Sequence, residues 1–181
     1  MAASERRMQA ALKLRMATYR AELGRLDEAW EELTAASADI GSDPQLTVPC
    51  EAAWSLLLAL RGDREAAVRR TELVLQAFDE RPSDYSMQLD CLDLMGRAML
   101  AANEVELAQR YWERYLATPL PPVARPTGHY HLGECRWRLN DPAGAEREFH
   151  RAATMGIDSQ YARLSQMRLR EFLKAAAKGN G

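Results

Sequence analysis

His129, His131 and Cys135 come nearest in this chain to a set of metal ligands. Imidazole and thiolate are the usual donors to zinc, and His131 and Cys135 stand one helical turn apart, on one face. His129 points elsewhere, and Pro126 and Gly128 just upstream mark a helix start rather than a ligand loop. His150 has no donor near it in sequence. No glycine-rich phosphate loop, nucleophile elbow or zinc-protease helix motif occurs. The many Asp and Glu fall on polar helical faces, where solvated charge is the simpler reading. The expectation is therefore a chain with no metal, no cofactor and no catalytic residue. An enzyme of unrecognised type would reveal itself through perturbed titrating groups gathered in a pocket.

What remains is recognition, and the residues for it depend on the helices that carry them. No segment alternates with a period of two, so the chain reads as all-helical. From Leu132 to Ala152 it reads as helix, tight turn, helix, and three upstream stretches follow the same plan. Gly24, Gly62, Asn103 and Asn140 occupy the turn of each copy. Glycine and asparagine tolerate the left-handed conformation that ends a helix. With 10 Gly and 3 Asn among 181 residues, four such residues in four slots argue for a real corner. Ala17, Ser55, Gly96 and Gly133 sit on the first helix of each pair, and Ala29, Ala67, Ala108 and Ala145 on the second. Closely crossing helices need small side chains at the contact. After the turns, Asp141-Pro142 places a cap before a first-turn proline, and Asn103 with Glu106 suggests a capping box.

These residues give the chain a resemblance to the tetratricopeptide repeat, a helix-turn-helix module of about 34 residues. Leu132-Gly133, Ala145 and Phe149 follow the family's pattern best, then Met95-Gly96, Ala108 and Trp112. Trp54 takes the place of the usual Leu, and the family's Tyr slot holds Arg20, Leu58, Met99 and Arg136, a departure in the inner packing. The copies are 38, 41 and 37 residues apart, so their connectors are longer than the family's. The resemblance implies an all-α, right-handed solenoid of four helical hairpins, about nine helices in one domain over 1–181. The repeats fall at approximately 10–43, 48–81, 89–122 and 126–157, with a capping helix near 159–177.

Along the chain, residues 1–22 carry Arg6, Arg7, Lys13, Arg15 and Arg20 against Glu5 and Glu22, a balance that a mitochondrial leader shares. The register of Ala17 and Gly24 favours a first repeat helix instead. Helices are expected at 26–37, 50–61, 64–78, 85–101 and 104–117, with loops at 39–49, 79–83 and the proline-rich 118–128. Gly156 stops the fourth unit and Asp158 caps the last helix. The stripe of Tyr161, Leu164, Leu169, Phe172, Leu173 and Ala176 covers the end of the stack, while Arg163, Arg170 and Lys174 face away. Residues 178–181 should fray.

In such an array the first helix of each pair lines the inner wall. Residues about 100–160° around from the core slots then face a groove. This selects Thr18, then Leu56 and Leu60, Asp93 and Arg97, and finally Tyr130, Glu134, Trp137 and Arg138. Leu56 and Leu60 either form an apolar shelf or pack between units. Tyr130 and Trp137 are either aromatic anchors, of the type that dominates binding hot spots, or packing against the last helix. Arg97 and Arg138 would take carboxylates or carbonyls, and Glu134–Arg138 could be an ordinary surface pair. Some members of the family clamp an acidic C-terminus with Lys, Asn and Arg. Leu14 and Thr18 fill the first of those slots here, so that ligand is not expected.

The function expected is a scaffold, adaptor or regulatory module binding a protein or peptide on its concave face. The rivals are a small chaperone for a secreted or aggregation-prone client and a self-associating module, a homo-oligomer. A net charge of −2 gives no basic field for nucleic acid. The longest apolar run, 52–60, is too short to cross a bilayer. Three cysteines, Cys50, Cys91 and Cys135, point to free thiols and a reducing compartment, the cytoplasm.

Overall fold

The computed structural model describes residues 3–41, 43–80 and 85–179. They form nine α-helices and one 3-10 turn, with no strand among the described residues. The chain divides into two compact units, Met1–Glu104 and Val105–Gly181. The first holds α1 (Ala3–Glu22), α2 (Leu26–Ile40), α3 (Pro44–Leu60), α4 (Arg64–Glu80) and α5 (Tyr85–Ala101). The second holds α6 (Val105–Ala117), a 3-10 turn (Pro122–Ala124), α7 (Arg125–Arg138), α8 (Pro142–Thr154) and α9 (Gln160–Gly179).

In the first unit α3 touches all four other helices. Its sequence explains that position. Residues 52–59 are all buried except the half-buried Trp54, because a helix apolar on nearly every side must be enclosed on nearly every side. Alanines at 10, 17, 21, 29, 36 and 53 fill much of the core between α1, α2 and α3 and let the backbones approach closely. In the second unit α7 is central, against α6, α8 and α9.

All four expected corners are left-handed, with φ of 75° at Gly24, 86° at Gly62, 60° at Asn103 and 61° at Asn140. Each closes in the same way. The corner residue's N–H donates three residues back, to Ala21, Ala59, Leu100 and Trp137. The following N–H donates five residues back, from Arg25 to Arg20, Asp63 to Leu58, Glu104 to Met99 and Asp141 to Arg136, at 2.8–3.0 Å. This is the Schellman closure, which satisfies carbonyls that a helix end otherwise leaves open. Gly156 also has a positive φ, of 69°, directly after α8.

The small residues lie where helices meet. Ala29, Ala67, Ala108 and Ala145 are each 0% exposed. Ser55 Oγ on α3 donates to the Ala67 carbonyl on α4 at 3.0 Å. At Gly133 of α7 a Cβ would lie 2.7 Å from the ring of Phe149 on α8, so the hydrogen there is a packing requirement.

Three local expectations need correction. The loop at 39–49 is mostly helix: Asp43 accepts from the Gln45 N–H at 2.9 Å and Pro44 opens α3, with Pro49 inside it. The proline-rich 118–128 likewise contains a 3-10 turn and the start of α7, where Pro126 is buried. Ser159, not Asp158, caps α9, its Oγ accepting from the Ala162 N–H at 3.1 Å, while Asp158 pairs with Arg163 at 3.4 Å. The end of the predicted 79–83 loop, including Pro82, the side chains of Leu173 and Ala176, and residues 180–181 lie outside the described residues.

Two substitutions test this packing by urea unfolding. Asn140→Ala puts an ordinary side chain in the left-handed region and should cost about 1 kcal/mol, whereas Asn140→Gly should be neutral or slightly stabilising. Gly133→Ala should cost about 1–3 kcal/mol through overpacking against Phe149.

Candidate functional site

The first unit contains an open groove of roughly 540 Å³ between α1, α3 and α5. On α1 the core face is Ala10, Leu14, Ala17 and Ala21. Arg15, Thr18 and Glu22 lie one step around, at spacings of three and four, and form one wall. Asp90, Asp93 and Leu94 of α5 form the other, and Leu46 and Pro49 of α3 the floor.

The charges on the walls are unequally satisfied. Arg97 reaches across from α5 to Glu22 of α1 and also pairs with Asp93 at 2.5 Å. Burial pushes the Asp93 carboxyl above the usual carboxylate range, against the pull of Arg97. Asp90 is raised too, by burial, with only Arg15 opposing from a distance. Among the described residues Asp90 makes no ion pair. Three carboxylates, Glu22, Asp90 and Asp93, face two guanidiniums, Arg15 and Arg97, so the groove is acidic.

The residues predicted to face a groove in this unit separate. Thr18 and Asp93 line it. Arg97 is near it but engaged in its two ion pairs. Leu56 is 3% exposed and belongs to the enclosed face of α3; it has no surface to offer as a shelf. Leu60, at the end of α3, is 38% exposed and outside the groove lining.

In the second unit Tyr130 packs against Tyr161 of α9 at 5.4 Å and Phe149 of α8 at 5.8 Å. Burial raises its hydroxyl pKa. Glu134 is buried, and its two carboxylate oxygens accept from Arg168 of α9 at 2.7 and 2.8 Å. This fork engages both oxygens of Glu134 and holds α7 to α9. Arg138 is exposed. Trp137 is 48% exposed and meets Phe172 edge-on at 4.9 Å, beside a slot of roughly 170 Å³ rimmed by Arg168 and Glu171. Glu134 is thus engaged by the last helix, and the half-buried Tyr130 and exposed Trp137 each keep one aromatic contact with it.

His129, His131 and Cys135 have separate surroundings. His129 Nδ1 lies 2.7 Å from Glu148, His131 stacks on Trp112 at 4.4 Å, and burial pushes the Cys135 thiol up to about 12. Glu148 is 1% exposed and meets Arg151 at 2.8 Å and Arg136 at 3.7 Å as well as His129. Burial alone would raise its carboxyl, but the His129 hydrogen bond and the guanidiniums of Arg151 and Arg136 outweigh it and hold the group below the ordinary range. Sequence spacing pointed to His129 and passed over Glu148, because a glutamate on an exposed-looking helix carries no local mark of burial.

No protein-family model, curated protein or solved structure matches this chain.

The Glu148 cluster gives a pH dependence. Its folded pKa lies below its unfolded one, so the unfolded chain binds the extra proton, and stability from this group is present above about 4.5 and lost as pH falls through the folded value. Glu148→Gln should therefore cost about 2 kcal/mol at pH 7, leaving charged donors without their acceptor. By urea unfolding, the gap from wild type should narrow as pH is lowered below 4. A gap of constant size down to pH 3 would place the effect in packing instead.

Proposed function

We propose that this chain is a protein–protein interaction module of tetratricopeptide type, taking a peptide segment with a basic side chain into the groove between α1, α3 and α5. The observation that carries this is Asp90. Asp90 is an exposed residue of the groove wall whose carboxyl is nonetheless raised by its partly enclosed surroundings, and it has no ion-pair partner among the described residues. A ligand's Lys or Arg would complete the pairing that the fold leaves open, at a site where partial burial makes the contact worth more than on an open surface. Asp93, Glu22 and Arg97 would form a braced wall beside it, and Thr18 and Tyr19 would offer polar and aromatic contact. The volume lies in the range of clefts that enclose a few side chains.

The groove groups are suited to holding a ligand rather than to transforming one. Arg97, Glu22 and Asp93 satisfy one another, and Thr18 Oγ1 donates to the Leu14 carbonyl at 2.9 Å. We also assign the chain to a reducing compartment, the cytoplasm, on the strength of three buried free cysteines. No helix among the described residues is long and apolar enough to cross a membrane.

Fluorescence polarisation with a set of labelled peptides differing only in charge tests the reading. Lys- and Arg-containing peptides should bind, Glu-substituted ones should not, and Asp90→Lys should weaken binding at least about tenfold, the cost of trading an attraction for a repulsion. Equal affinity for acidic and basic peptides, or no effect of Asp90→Lys, would refute it.

A further inference from the structure

α1 presents a second face, opposite its core, that shares only Tyr19 with the groove lining. Met8, Leu12, Met16, Tyr19 and Leu23 are all exposed, from 39% at Met16 to 68% at Met8. Their spacings of four, four, three and four place them in one stripe along the helix, and residues 12, 16, 19 and 23 alternate as the two core positions of a heptad do. The stripe is about 22 Å long at 1.5 Å per residue. Its apolar area, on the order of 500 Å², reaches the size at which exposed patches mark interaction sites.

We infer that this stripe is a self-association surface, on which α1 of one copy packs antiparallel against α1 of a second. The charges beside the stripe argue for that occupant and that direction. On one flank Arg15 and Glu22 are seven residues apart. When the helices run antiparallel with Leu12 opposite Leu23 of the partner, each copy's Arg15 faces the other's Glu22, which it would share with that copy's own Arg97, and the two-fold axis makes the pairing twice. On the other flank the like charges Lys13 and Arg20 would meet, but the fold has already neutralised them. Lys13 pairs with Asp39 at 2.5 Å, and Arg20 with Glu32 at 2.8 Å. In a parallel pair each flank would face the partner's other flank, setting Arg15 against the partner's Arg20, like charge against like charge.

Size supports the pairing as well. A stable interface covers about 800 Å² per partner, with an apolar centre and a charged rim. The stripe supplies most of the centre, and its flanks supply the rim. A seam of under two heptads is too short to hold free peptides together. Here each α1 is already fixed as a helix by α2 and α3, so association does not have to order it.

Light scattering on the full chain across a dilution series tests this. Wild type should run as a dimer at high concentration and dissociate on dilution. Leu12→Glu/Leu23→Glu should be monomeric throughout, with unchanged helicity and melting, since both side chains are exposed, and with binding of the basic peptides retained, since neither lines the groove. For direction, Leu12→Cys and Leu23→Cys proteins mixed and oxidised should form a disulfide dimer. Each alone should not, because its own copies would be about 16 Å apart at that register. The native cysteines are buried and do not compete. Wild type that is monomeric at every concentration, a dimer that survives the double Glu substitution, or Leu12→Cys that cross-links to itself would each overturn the proposal.

Discussion

A left-handed residue at the end of a helix, closed by a hydrogen bond five residues back, is the constraint from which the rest of this molecule follows. At Gly24, Gly62, Asn103 and Asn140 the chain stops one helix and starts the next within three or four residues. Within each unit, at Gly24, Gly62 and Asn140, a corner this short leaves the next helix little freedom of direction, and five residues later an alanine is wholly enclosed. Small side chains at those contacts allow the close approach, and the close approach makes their size compulsory. Local backbone chemistry and tertiary packing thus specify the same geometry, which is the consistency expected of a sequence that selects one fold.

The corners were legible because their residue types have few other uses. Few residues other than Gly and Asn adopt a positive φ at low cost, so their regular placement stands out among dissimilar neighbours. The prolines misled for the opposite reason. Pro44 and Pro126 read as loop residues, yet each stands in the first turn of a helix, where a missing N–H costs nothing. Asp43 just before Pro44 is the capping signal that marks this helix start.

The site was legible only in part. Face geometry brought Thr18 and Asp93 to the groove because α1 and α5 have a defined inner side. It failed at Leu56 because the second half of α3 is enclosed on nearly every side and its apolar run leaves no outer face for periodicity to find. It also failed for Arg97 and Glu134, whose partners Glu22 and Arg168 are 75 and 34 residues away. Spacing along one helix cannot reveal a partner contributed by another. The charged residues therefore fall into two kinds. Some brace helix against helix, as Arg97, Glu134 and Glu148 do, and others, such as Asp90, are left for solvent or a ligand.

Amide hydrogen exchange at Arg25, Asp63, Glu104 and Asp141 measures the corner closure most directly, since each of these N–H groups donates five residues back and to no regular helical partner. If the corners hold the hairpins together, all four amides should exchange far more slowly than neighbouring exposed positions, despite lying at the surface. Exchange at free-peptide rates at two or more of them would contradict the hairpin geometry and the groove built on it.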